Sequence, residues 1–160
     1  MPVFISHRKA DAQSALKVYA YLKSENIKSY VDELDDALQS ANNITQVIMS
    51  RIKECTHMIA IMSVNTKGSW WVPFEIGVAS EANRRISSYK TDTITVPEYL
   101  EIWPIMTQPE QLKQFVYLYK NDKLVLSESL SYSERIKASS AYVQSAADFH
   151  RKLKSSTGQI

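Results

Sequence analysis

The chain lacks most of the residues that signal a familiar chemistry. A single cysteine, Cys55, stands among 160 residues, which excludes an internal disulfide framework and a thiolate metal cage. The three glycines form neither a GxGxxG nor a GxxxxGK[ST] pattern, so the phosphate cradles of ordinary Rossmann dehydrogenases and P-loop NTPases are missing. His7, His57 and His150 lie far apart without a metal-ligand spacing, and no metal is expected. The formal charge is only +2, with Lys and Arg interleaved among Asp and Glu. That leaves no dense basic face for nucleic acid. There is no apolar run of membrane length and no basic-then-apolar leader, so no membrane partner is expected and a reducing, cytoplasmic setting is.

What is present suits one compact domain: 44% of residues are hydrophobic and 22% charged, enough to bury a core unaided. Val3 to Ser6 reads as a short buried strand. Asp11 is placed to cap a helix in which Leu16, Tyr19, Ala20 and Lys23 recur at helical spacing, ending near Ser24 to Asn26. Ile27 to Val31 alternates like a second strand. Asp32 to Asn43 is an acidic connection, with a helical turn expected around Ala37 and Leu38. Asn43 and Gln46 form the ends of a capping box that opens a helix with Ile44, Val47, Ile48 and Ile52 on one face.

His57 to Met62 is a near-continuous apolar run, the pattern of a strand covered on both sides. A third helix is expected from Phe74, Val78 and Ala82 toward Arg84 and Arg85, whose charges suit its dipole. Thr93 to Val96 reads as a fourth strand, Pro109 to Tyr119 as helix, and Lys123 to Leu126 as a fifth strand or a loop. Tyr142, Ala146, Phe149 and Leu153 mark a closing helix. The expected organisation is a core domain over residues 1–130, followed by a C-terminal helix packed on it over residues 131–160 with a frayed tail. Alternating strands and helices predict a parallel sheet with helices on both faces.

In such a sheet ligands bind beyond the carboxyl ends of the strands. The loops there are Ser6-His7-Arg8-Lys9, Asp32 to Asn43, and Ser63 to Trp71. The last closes on SWWVPFE, residues 69–75, which sets two tryptophans and a proline ahead of a lone glutamate. Each of these residues has an ordinary reading. Glu75 can serve as a helix-entry carboxylate. Trp70 and Trp71 can be core, and Pro73 is tolerated in a first helical turn. His7, Arg8 and Lys9 can be a solvated loop.

These residues resemble a family, the Toll/interleukin-1 receptor (TIR) domains. Val3-Phe4-Ile5-Ser6-His7 is similar to the family's first box, and Ser69-x-Trp71-x-x-x-Glu75-Ile76 to its S-x-W-x-x-x-E-L signature. The resemblance runs from Val3 to about Ile86 and more loosely to Val96 or beyond, over half of the chain. It implies an α/β, flavodoxin-like three-layer sandwich around a five-stranded parallel sheet of order 2-1-3-4-5. It also implies cleavage of NAD+ at the nicotinamide-ribose bond, with Glu75 as the catalytic residue and NAD+ as substrate, not as cofactor. The implied substrate contacts are Phe4, Ser6, His7, Arg8, Lys9, Asp32, Ser69 and Trp71, with Arg8 and Lys9 directed at the diphosphate and Trp71 at the cationic ring. Bacterial members of the stand-alone Thoeris anti-phage type make a cyclic ADP-ribose isomer. By that resemblance the partners are a separate effector reached through the nucleotide product and further copies of the chain through TIR–TIR contacts. The acidic 32–43 loop departs from the Pro-Gly of many members. A non-catalytic TIR scaffold and a nucleoside transferase acting on the same α/β plan are the rival expectations.

Overall fold

The computed structural model describes residues 2–31, 43–122 and 132–159, with side chains described in the last helix from residue 144 onward. Five strands form one parallel sheet: β1 (Val3–Ser6), β2 (Ser29–Tyr30), β3 (His57–Met62), β4 (Arg85–Lys90) and β5 (Ile105–Met106), in the order β2-β1-β3-β4-β5. This is the expected flavodoxin-like order, with the switch point between β1 and β3. Ser6 pairs in register with Ala60, so the carboxyl ends of those two strands open side by side.

Strand alternation sends side chains to two different helical layers. Val3, Ile5, Ile59 and Ile61 pack with α1 (Ala12–Ser24), α4 (Pro109–Lys120) and α5 (Tyr132–Ser156) through Val18, Leu22, Phe115 and Leu153. Phe4, Met58, Ala60 and Met62 face α2 (Ile44–Glu54) and α3 (Trp71–Glu81) through Ile48, Ile52, Val72 and Ile76. Both faces are covered, which is why β1 and β3 are apolar at successive positions. Asn43 caps α2 as expected, its side chain accepting from the Gln46 amide at 3.2 Å.

Several expectations need correction. The helix of the SWWVPFE stretch begins at Trp71 and ends at Glu81. Asn83 adopts a left-handed conformation with φ 53°, and the Arg84 amide turns back to the Ala79 carbonyl at 2.9 Å. That closes the helix in the manner of a C-terminal cap, so Arg84 and Arg85 lie beyond it. Arg85 instead opens β4, which is the true fourth strand. Thr93 to Val96 is not strand but a connection whose Val96 is buried against α3. In α1 the buried stripe is Ala15, Val18 and Leu22, leaving Ala20 and Lys23 exposed. The tail is tied down rather than frayed, since the Ile105 amide donates to Gln159 at 2.9 Å. The expected elements at 32–42 and 123–126 lie outside the described residues.

Candidate active site

Helix α3 carries the central carboxylate. Its buried residues are Val72, Glu75, Ile76 and Ala79, the i, i+3, i+4, i+7 stripe that an amphipathic helix turns to a core. Glu75 therefore occupies a core position, in the second turn and not at the helix entry, and is only 2% exposed. Burying a carboxylate is costly unless it is met by donors. The Ser6 hydroxyl, at the end of β1 and itself buried, donates to Glu75 Oε2. One side chain from the first box and one from the S-x-W-x-x-x-E stretch, 69 residues apart, thus meet at the carboxyl end of the sheet.

Ser69 prepares this placement, its hydroxyl accepting from the Val72 amide at 3.2 Å and so fixing the first turn of α3. Phe4 is buried in the core cluster on which α3 packs. His7, expected on a solvated loop, turns inward at 5% exposure, with Nδ1 3.4 Å from the Ile5 carbonyl oxygen. Arg8 and Lys9 are exposed, and Arg8 Nη1 donates to the Asn65 carbonyl across the cleft. Asp32 lies outside the described residues.

The tryptophans are not core. Trp70 is 91% exposed and Trp71 46%. Trp71 packs edge-on against Phe74 at 5.8 Å, one turn further along the same helix. The aromatic surface at the start of α3 is open, with its rings available to a planar ligand.

A network that the sequence reading missed lies beside the site. Asp11, read there as a helix cap, makes no side-chain capping bond to α1. Its carboxylate accepts from Ser63 Oγ at 2.7 and 2.8 Å and from Asn65 Nδ2 at 2.8 Å, in the loop after β3. The available signal was that Asp11 and the Ser63-Val64-Asn65 stretch both follow strands whose carboxyl ends are neighbours.

Two other features lack the carboxylate at the centre of the site. A cavity of about 500 Å³ borders the start of α3, lined by Ser63, Ser69, Val72, Ile76, Val96 and Leu100. It contains neither Glu75 nor Ser6 nor any other carboxylate, so it cannot supply the same chemistry. Cys55 is buried, and burial pushes its thiol up to about 12, the reverse of what a nucleophilic thiolate needs. Among the described residues no cluster of His, Cys, Asp and Glu could hold a metal, and no helix is long and apolar enough to cross a membrane.

A family model described as the TIR domain matches residues 3–125. The chain is similar to a probable 3′ cyclic ADP-D-ribose synthase, ThsB′, of Bacillus cereus strain MSX-D12, at 24% identity over 117 residues. That match takes in 66% of this chain and 60% of the relative, so the chain spans under two thirds of that protein's length. Among solved structures, the fold is similar to the TIR domain of the Toll-related receptor TRR-2 from Hydra magnipapillata, with TM-score 0.61, 17% identity and coverage of 74% of this chain and 95% of that one. It is also similar to the CMP N-glycosidase BcmB of Clostridium botulinum, with TM-score 0.55, 20% identity and coverage of 74% and 99%.

Proposed function

The chain belongs to the TIR domain family, and from that premise we propose that it is an enzyme that breaks the nicotinamide-ribose bond of NAD+. The observation that carries the reading is Glu75, a carboxylate set in the buried stripe of α3 and held by Ser6 at the sheet's switch point. Among relatives, the one named as a probable cyclic ADP-ribose synthase supports a cyclic ADP-ribose isomer as the product. That product would act as a signal to a separate effector in bacterial anti-phage defence.

The chemistry follows from the residues. As the C1′–N bond breaks, its electron pair leaves with nicotinamide and the ribose carbon becomes oxocarbenium-like. A carboxylate in a low-dielectric setting stabilises that charge more strongly than one in water, or it holds the ribose hydroxyls through the same change. The Ser6 hydroxyl restrains the carboxylate so that it need not reorganise. Trp71 offers a face to the cationic nicotinamide ring, a contact of about 0.5 to 2 kcal/mol. Exclusion of water then favours capture of the ribose carbon by an adenine nitrogen or ribose hydroxyl, giving cyclisation over hydrolysis.

At 2% exposure Glu75 meets a ribose only once the rim above it opens. Self-association of several chains is the expected trigger, and activity should therefore rise with protein concentration. The test is nicotinamide release from NAD+ by the wild type and by Glu75→Gln over a range of concentrations. The exposed Trp70 favours one rival, a TIR scaffold acting through protein contacts alone. That rival requires nicotinamide release at background for both proteins.

A further inference from the structure

We propose that Asp11 is a positioning residue for this site, holding the cation that receives the diphosphate at a fixed distance from the carboxylate that meets the ribose. This rests on the NAD+ reading above. Asp11 stands at the N-cap position of α1, where an Asp side chain ordinarily satisfies the helix's own amides. It gives up that role and spends both carboxylate oxygens on the loop after β3, through Ser63 and Asn65. It is 6% exposed, and its bonds to Ser63 are buried and that to Asn65 half-buried, all of them charge-assisted and among the stronger kind available to a loop.

Asn65 is the residue being held. Its side chain donates to Asp11 at 2.8 Å, its backbone amide donates to Ser63 Oγ at 2.9 Å, and its carbonyl accepts from Arg8 Nη1. Arg8 belongs to the same turn as Asp11, whose amide donates to the Arg8 carbonyl at 2.7 Å. The guanidinium lies against Gly68, where an added Cβ would sit 3.5 Å from Nη1. From there the chain runs through Ser69, which fixes the start of α3 and hence Glu75.

Arg8 and Glu75 are therefore tied through one short latch: Asp11 to Asn65, Asn65 to Arg8, and the same loop to α3. The loop after β3 is anchored to the connection after β4 by the Val64 amide, which donates to Asp92 at 3.0 Å, and to the loop after β1 by the bonds to Asp11 and Arg8. Cutting the latch at Asp11 leaves Glu75 on its helix and bonded to Ser6, but loosens Asn65, on whose carbonyl Arg8 rests. The expected consequence is weaker binding of the diphosphate with little change in the bond-breaking step.

The experiment compares wild type, Asp11→Ala, Asp11→Asn and Asn65→Ala in steady-state NAD+ cleavage, with hydrogen exchange of residues 63–69 as a second reading. Asp11→Ala should raise KM for NAD+ about tenfold while kcat stays within about threefold, the loss of a charged hydrogen bond appearing in binding. Asp11→Asn keeps an acceptor for Ser63 and should restore KM to within about threefold. Exchange at 63–69 should rise in Asp11→Ala alone of those two. If Asp11→Ala fails to fold, Asn65→Ala removes the same bond from the half-buried side and should show the same KM rise. A fall in kcat at unchanged KM, with no rescue by Asn, would make Asp11 merely structural and overturn the proposal. A wild type inactive at every concentration would overturn the NAD+ reading itself, and that failure is seen before any variant is compared.

Discussion

The two ends of the central sheet use the same kinds of residue in opposite ways. At the amino end, the Arg85 guanidinium, wholly buried at the start of β4, donates to Asp122 at 2.8 Å. Phe115, Tyr119 and Phe149 close around His57, the neighbour of Arg85 in register on β3, with almost no exposure. Helix α5 seals this end, with Ser145 accepting from Arg85 and His150 Nε2 accepting from the Ile86 amide, each at 2.8 Å. At the carboxyl end a carboxylate is just as deeply buried, yet the nearby rings of Trp70, Trp71 and Phe74 face solvent, as do Arg8 and Lys9. Charge paired with charge and sealed by aromatic rings is a structural solution. A buried carboxylate restrained by a hydroxyl, beside open rings and solvent-exposed cations, is arranged for something that arrives.

Substitutions at the amino end should act on stability. Removing the Arg85 charge, as Arg85→Met, leaves Asp122 buried without the guanidinium and should cost about 3 to 5 kcal/mol in chemical denaturation. The double variant Arg85→Met with Asp122→Leu should recover much of that loss and keep activity, because a buried pair is often replaceable by apolar side chains of similar volume. A double variant that folds but is inactive would break the contrast between the two ends.

The next effect is on pH. Burial, with Arg85 and Lys154 adding to it, pulls His150 from its ordinary 6.5 down to about 4, and burial pulls His57 well down too. The folded state thus binds fewer protons than the unfolded chain between these values. The stabilisation is complete above about pH 6.5 and is lost as pH falls toward 4, by about 2 to 3 kcal/mol for His150. Protonating Nε2 also removes the acceptor for Ile86. Unfolding free energies at pH 7 and pH 4 should show this slope in the wild type and a shallower one in His150→Gln.

Smallest in stability terms is Trp71→Ala, which removes a half-exposed ring. It should change unfolding free energy by no more than about 0.5 kcal/mol but raise KM for NAD+ about 2- to 30-fold through the lost cation-π contact. A large drop in stability with unchanged KM would return Trp71 to the core and remove the distinction drawn between the two sets of rings.

The sequence was most legible where one physical rule acted alone. β1 and β3 are buried on both faces, and their apolar runs say so. The Asn43 to Gln46 spacing marks the start of α2 correctly. β4 was hidden because Arg85, Ser87 and Ser88 make it look polar. Arg85 is neutralised by Asp122, and Ser87 donates to the Met58 carbonyl at 3.2 Å, so long-range partners supply what a local pattern cannot show. Thr93 to Val96 alternates because it covers α3 from a loop, which is burial without strand pairing. At the site, the S-x-W-x-x-x-E spacing pointed to Glu75, and the i, i+3, i+4, i+7 stripe explains its burial. Its bond to Ser6, the inward turn of His7 and the diversion of Asp11 from its helix depend on β1 and β3 lying side by side, which only the folded sheet makes plain.

The most direct test of the central claim is the release of nicotinamide and the identity of the nucleotide product, measured for wild type and Glu75→Gln at matched, high protein concentration. Gln can still accept from Ser6, so the variant should keep its melting temperature while losing activity on the order of 10²- to 10³-fold or more. Equal release from two equally folded proteins would show that this carboxylate takes no part in breaking the bond.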